Sequence, residues 1–124
     1  MLYAGRKFQE RDRSGKVQKG ALRKALNRLK GTEELIRNQE NAKFYVLISE
    51  IITNFLVAKY HLQKTDLSKH HIEIHLMNKH VETETIQRLL KIIDICEFAK
   101  FAPATDEGGL REMLNEVTIV LNKL

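Results

Sequence analysis

Apolar residues recur along this chain at spacings of three and four, the period that lines one face of an α-helix. The clearest example is the stretch 43–60, where seven apolar residues make a single stripe: Phe44, Leu47, Ile48, Ile51, Ile52, Phe55 and Leu56. Glu50, Asn54 and Lys59 lie off that stripe. The pattern predicts an amphipathic helix with its apolar face buried.

The chain predicts one helix before this stretch and a shorter one after it. The earlier helical pattern begins at Lys19 and is interrupted at Gly31, which costs about 1 kcal/mol relative to alanine. A polar turn, 38–41, separates it from the second helix. The later helix is expected to run to about Lys79, with the hydroxyl of Ser68 capping its first turn. Its inward-facing residues would be Leu67, Ile72 and Leu76.

Two longer helices complete the chain. The fourth spans 84–102, is capped by Thr83 and ends before Pro103, because the residue before a proline is pushed away from helical geometry. The fifth begins after a cap at Thr105 or Asp106. Its apolar stripe is Leu110, Met113, Leu114, Val117, Val120, Leu121 and Leu124. No stretch has a strand pattern, so the fold class is all-α. We expect a five-helix bundle, which helical hairpins can build, with a basic N-terminal arm.

The fourth predicted helix is apolar in nearly every direction from Ile86 to Ala102, which predicts a helix buried in the middle of the bundle. Cys96 should therefore be a core residue, and burial should raise the pKa of its thiol and make it a poor nucleophile. Glu97 lies on the same helix and must either reach water or find a partner, because a buried unpaired carboxylate is very costly. We expect it to pair with a cation of the first helix or with a helix N-terminus.

The same helix carries two phenylalanines close to its end. Phe98 and Phe101 are three residues apart, a spacing typical of core aromatics. Lys100 lies between them and must reach water, so one of the two is expected at the rim of the core.

Charge is distributed unevenly along the chain. Residues 1–30 contain ten Lys or Arg and two acidic residues, whereas residues 31–124 contain eleven and fourteen. The basic arm is therefore expected to be 1–18, and the bundle domain 19–124. A nucleic-acid-binding domain more often has basic residues on its folded face as well. A small basic-armed protein that binds nucleic acid is thus the alternative function, and the less favoured one.

The arm has the composition of a segment that leaves a membrane on its cytoplasmic side. Tyr3 would lie at the headgroups, and the cations Arg6, Lys7, Arg11 and Arg13 would contact the membrane surface. A solvated basic tail is the simpler interpretation of the same residues.

The chain itself has no run of 18 apolar residues and no signal-peptide pattern. Its single cysteine cannot form an internal disulfide, which favours a reducing compartment.

Two histidines are the only candidate metal ligands. His71 and His75 are four residues apart and would share a helix face, which is the spacing of a zinc-binding pair. Glu73 lies off that face, and the HEXXH motif is absent. A solvated histidine-rich face is the favoured interpretation. We find no nucleophile motif and no phosphate-binding glycine loop, so we expect no catalytic residues, no cofactor and no small-molecule substrate.

The octapeptide 96–103, CEFAKFAP, resembles the CEFARFAP signature near the C-terminal end of the BatD family of the Bat aerotolerance system. Residues 21–26, ALRKAL, are similar to the basic segment RRRALKRA that follows the membrane span in that family. Leu67, Ser68, Ile72 and Leu76 match the pattern ELSRDNIREKL. The resemblance covers residues 17–124. Its most specific part consists of Cys96, Glu97, Phe98, Lys100, Phe101 and Pro103.

The resemblance implies a non-enzymatic interaction domain on the cytoplasmic face of a bacterial inner membrane. A transmembrane helix would precede Leu2, and the domain would serve in oxygen tolerance or stress response. The implied partners are other Bat-type membrane proteins with von Willebrand A-type domains and a MoxR-type AAA+ ATPase. The family supplies no catalytic residue to carry over.

Overall fold

The chain folds into five α-helices, which a computed structural model describes over residues 2–99, 101 and 107–124. The side chains of residues 2–19 and of Glu107 lie outside that description. The helices are α1 (Leu2–Arg37), α2 (Asn41–Tyr60), α3 (Lys69–Asn78), α4 (Thr83–Ala99) and α5 (Glu107–Lys123), with a short 3-10 turn at Lys64–Asp66. The described residues contain no strand, and the prediction of an all-α five-helix bundle is confirmed.

Four of the helices close into a ring. Helix α1 packs on α2, α2 on α4, α4 on α5, and α5 back on α1, while α3 packs on the outside of α4. Neighbouring helices in the ring run antiparallel: Arg28 of α1 pairs with Glu50 of α2 at 3.4 Å, and Arg88 of α4 pairs with Glu116 of α5. The molecule is therefore an up-down-up-down four-helix bundle with one added helix.

The bundle has two ends. We call them the turn end, where the turn between α1 and α2 lies, and the arm end, past which the N-terminal part of α1 extends. At the turn end, α1 passes into α2 through 38–40, and Tyr45 of α2 shares a groove with Ile95 of α4 and Gly109 of α5. At the arm end, Tyr60 shares a cavity with Thr85 and Leu124. Helices α2 and α5 thus run towards the arm end, and α1 and α4 run towards the turn end.

Helix α1 is continuous, and the interruption expected at Gly31 is absent. A buried stripe passes straight across it, formed by Ala21, Ala25, Leu29, Thr32 and Ile36. Gly31 itself is exposed, and a Cβ built there would meet nothing within 4 Å. The intrinsic cost of one glycine, about 1 kcal/mol, is smaller than the burial gained on either side of it.

The basic arm belongs to the same helix. Helix α1 has 36 residues and α2 has 20, so α1 exceeds its hairpin partner by 16 residues. Because the two helices are joined by a tight turn, the surplus extends past the arm end by roughly 24 Å at 1.5 Å per residue. No helix within the described residues is both long and apolar enough to cross a bilayer.

Helix α4 is amphipathic, and the prediction of a helix buried on all sides was wrong. One face is buried through Ile86, Leu89, Ile92, Cys96 and Ala99. The opposite face is exposed, although it carries apolar residues as well as charged ones. The apolar stripes predicted for α2 and α5 are confirmed, with Leu47 and Leu114 partly buried at their edges.

Helix starts agree with the predictions only in part. Ser68 caps α3, since its Oγ accepts a hydrogen bond from the backbone N–H of His71 at 3.3 Å. Helix α4 begins one residue early, because the carbonyl of Glu82 already accepts the backbone N–H of Ile86 at 3.0 Å. The predicted helix stop at Pro103 and the caps at Thr105 or Asp106 lie outside the described residues.

Tyr60 joins three helices at the arm end. Its hydroxyl donates to the backbone oxygen of Leu124 at 2.6 Å, and Lys59 Nζ donates to the same oxygen. The backbone oxygen of Tyr60 lies 3.0 Å from Nε2 of His75. One residue of α2 therefore holds the last turn of α5 and the second half of α3.

Replacing Tyr60 with phenylalanine should loosen the end of α5. The substitution removes one buried hydrogen bond, so we expect a loss of about 1 kcal/mol of unfolding free energy. Amide exchange near Val120 and Leu121 should accelerate. Tyr45→Phe is the matched control, since Tyr45 lies at the turn end. Equal exchange at these amides in both variants would contradict this role of Tyr60.

The same tyrosine makes the free energy of unfolding depend on pH in the alkaline range. Burial raises the pKa of Tyr60 above its ordinary value of 10.0. The folded chain then holds this proton more firmly than the unfolded chain, so stability falls as the pH rises through and above about 10. Burial lowers the pKa of Lys59, which works in the opposite direction. Urea titrations between pH 8 and 11 should therefore show a smaller alkaline loss in Tyr60→Phe than in the wild type.

Candidate functional site

Two aromatic side chains at the turn end are exposed. Phe98 is 68% exposed and Phe101 is 89% exposed, the largest fractions among the described large apolar residues. The backbone N–H of Phe101 donates to the carbonyl of Phe98 at 3.0 Å, so both belong to one turn at the end of α4. We call these two residues the aromatic pair. Only one of them was expected at the rim, and neither is a core residue.

The remaining residues of the octapeptide have different environments. Cys96 is buried with 3% of its surface exposed, as predicted. Glu97 is exposed, so the pairing expected for a buried carboxylate was wrong and the side chain reaches water instead. The pKa of Lys69, at the start of α3, is raised chiefly by its hydrogen bond to Asp94, and the negative charge of Glu97 adds to that increase. A cation from α3, rather than from α1, is thus its electrostatic neighbour. Lys100 and Pro103 lie outside the described residues.

The two candidate metal-ligating histidines make separate contacts. Nδ1 of His71 lies 2.7 Å from Ser68 Oγ and 3.1 Å from Asp66 Oδ1, beside the start of α3. His75 instead bonds the backbone oxygen of Tyr60. Within the part of the chain that the structure describes, no three His, Cys, Asp or Glu side chains come together as metal ligands.

Helices α4 and α5 form a groove next to the aromatic pair. Its volume is about 300 Å³, and buried side chains of Tyr45, Ile92 and Met113 form its floor. The ion pair between Arg88 and Glu116 crosses it towards the arm end. We call this the α4–α5 groove. It lies on an exposed face of the ring, away from α3.

The two walls of the groove have opposite charge. Lys91 stands on the α4 wall and Glu112 on the α5 wall, and both side chains are exposed. Among the described residues, neither has an ion-pair partner. Closer to the turn end, Ile95 lies on the α4 wall with 36% of its surface exposed, across from Gly109. A Cβ added at Gly109 would meet nothing within 4 Å, so there is open space over the α5 wall.

These features were only partly visible in the sequence. The apolar character of the aromatic pair was visible, but apolar residues are also common on protein surfaces. The groove was missed because it depends on α4 and α5 packing as antiparallel neighbours. Glu116 carried a signal, since it lies at the edge of the apolar stripe predicted for α5.

The cations assigned to the membrane surface all lie on the extension of α1. Arg6, Lys7, Arg11 and Arg13 fall within the first 16 residues of that helix, beyond the end of α2. Their side chains lie outside the described residues.

Shifted pKa values occur at four of the described side chains. The groups with a shifted pKa are Tyr45, Lys59, Tyr60 and Lys69. Burial or an ion pair accounts for each, and they are spread over both ends of the bundle. Comparison of the chain with protein-family models, with curated proteins and with solved structures gives no match.

Proposed function

We propose that this chain is a non-enzymatic interaction domain of a membrane-tethered, BatD-like protein of oxygen tolerance. It would lie on the cytoplasmic face of a bacterial inner membrane and dock partner proteins at its turn end. The partners would be Bat-type membrane proteins with von Willebrand A-type domains and a MoxR-type AAA+ ATPase.

The aromatic pair carries this proposal. Phe98 and Phe101 belong to the octapeptide that resembles the family signature, and both are exposed to water. A signature that served only the core would bury its aromatic residues. Large exposed aromatics next to a groove are typical of a protein-binding surface.

The position of the arm supports the tethered arrangement. The extension of α1 leaves the bundle at the arm end, and the aromatic pair lies at the opposite end. A bundle held to a membrane through its basic arm would therefore present the aromatic pair to the cytoplasm. A transmembrane segment of about 20 apolar residues encoded just before Leu2 is expected on this proposal.

Binding measurements with purified partners test the docking surface. The double variant Phe98→Ala/Phe101→Ala should bind a von Willebrand A-type partner, or the ATPase, about tenfold or more weakly than the wild type. Met77→Ala is the matched control, because Met77 is 56% exposed on α3. Equal affinities for the double variant and the control would overturn the proposal.

Nucleic acid is the competing ligand. Binding of duplex DNA or RNA at physiological salt that disappears when residues 1–18 are removed would favour the alternative function. We expect only weak binding, which falls steeply as salt is raised.

A further inference from the structure

We propose that the chain forms a two-fold dimer through the α4–α5 groove, with the symmetry axis running along the groove. The partner at this surface is a second copy of the chain. The dimer is argued from the groove alone, and only its consequence for a tethered protein rests on the proposed function. Charge, shape and the direction of the arms each support it.

Charge selects the axis. In a two-fold dimer the same patch faces itself, so a residue on one copy meets a different residue on the other. An axis along the groove exchanges its two walls. Lys91 of each copy then faces Glu112 of the other copy, giving two opposite-charge pairs. An axis across the groove would instead place Lys91 against Lys91 and Glu112 against Glu112, which is repulsive.

The positions of these residues along the helix axes agree with this pairing. Helices α4 and α5 are antiparallel, with Arg88 beside Glu116 and Ile95 level with Gly109. Lys91 and Glu112 therefore lie at nearly the same level between these two positions. An axis along the groove leaves levels unchanged, so the charges of the two copies meet.

Shape follows the same arrangement. Ile95 of one copy would lie over Gly109 of the other, where the missing side chain leaves open space. Ile95 is a partly exposed large apolar residue, and covering it removes apolar surface from water. The same axis thus satisfies both the ionic and the apolar parts of the groove.

The dimer has a consequence for a tethered protein. An axis along the groove is also parallel to the helices of the ring, so both arms leave at one end and could reach one membrane. Both aromatic pairs then lie side by side at the other end. Two linked binding surfaces raise the effective affinity for a partner with repeated or multiple sites.

Charge reversal tests the dimer, with the mass of the full 124-residue chain measured by sedimentation velocity. Lys91→Glu and Glu112→Lys should each raise the dimer Kd about tenfold or more, since each puts like charges face to face twice. An equimolar mixture of the two variants should restore dimers, because the mixed dimer has no like-charge pair facing across the axis. Lys24→Glu, an exposed charge reversal on α1, is the control and should change little.

The outcomes distinguish the two proposals. A wild-type chain that stays monomeric at all accessible concentrations, or a mixture of variants that fails to pair, overturns the dimer. Circular dichroism is measured on each variant to check that it keeps its fold. Phe98→Ala/Phe101→Ala should weaken partner binding while leaving the dimer intact. A monomer that binds partners through the aromatic pair would leave the proposed function standing, and a dimer that binds none would remove it.

Discussion

Replacing Phe44 with alanine should lower the free energy of unfolding by about 3–5 kcal/mol. Phe44 is fully buried in the first turn of α2, and its ring packs edge to face on Tyr45 with 5.2 Å between centroids. Removing the ring takes away the transfer free energy of the side chain and leaves a cavity that the surrounding ring of helices can fill only partly. Single domains have about 5–15 kcal/mol of stability in total, so the loss should be large.

Urea unfolding followed by circular dichroism measures this effect. Phe98→Ala is the matched control, because it makes the same chemical change at an exposed site and should shift stability by no more than about 0.5 kcal/mol. A loss of about 3 kcal/mol or more in Phe98→Ala would show that this ring is packed after all. That result would also remove the aromatic pair as a docking surface.

Replacing Leu76 with alanine should open α3 without unfolding the ring of four helices. Leu76 is fully buried on α3, which packs against α4 and has only ten residues. A helix this short is not stable without its tertiary contacts. The substitution should therefore weaken the docking of α3 by about 2–5 kcal/mol.

Hydrogen exchange separates local opening from global unfolding. Amides in the second half of α3 should exchange about 30-fold faster or more, while amides in the middle of α2 should change much less. Met77→Ala, next to Leu76 but exposed, should leave both sets unchanged. Uniform acceleration of all amides in Leu76→Ala would instead mean that α3 and the ring unfold as one unit.

The helices and most of the core could be predicted from periodicity. All residues of the stripes predicted for α2 and α5 are buried or partly buried, although the buried Tyr45 and Tyr60 of α2 were not among the predicted residues. Helix α4 was misinterpreted, since Ile95 and Phe98 make its solvent face look apolar, and Phe101 just past its end extends the apolar pattern. Apolar residues on a helix do not by themselves show burial; the position of the neighbouring helices decides it.

Two smaller errors have similar physical causes. Thr32 was not counted as a core residue, although it is fully buried with its hydroxyl donating to the carbonyl of Leu29 at 2.6 Å. Without it, the stripe of α1 looked broken at Gly31. A partner was predicted for Glu97 because its helix was interpreted as buried, so that error follows directly from the one about α4.

The groove could not be predicted in the same way. Its charges come from two helices, and neither helix alone indicates that a groove exists. Only the packing of α4 against α5 places Lys91 opposite Glu112. Periodicity indicates which face of a helix is buried, but it does not indicate which helix covers that face.

The single long helix α1 also fixes a rotational phase between the arm and the bundle. Each residue of an α-helix turns the chain by about 100°, so inserting one residue before Ala21 would rotate the arm by that angle relative to the bundle. Inserting seven residues would nearly restore the phase while moving the two parts about 10 Å further apart. Because the helix Leu2–Arg37 has no break, both the distance and the rotation angle between the arm and the bundle are fixed.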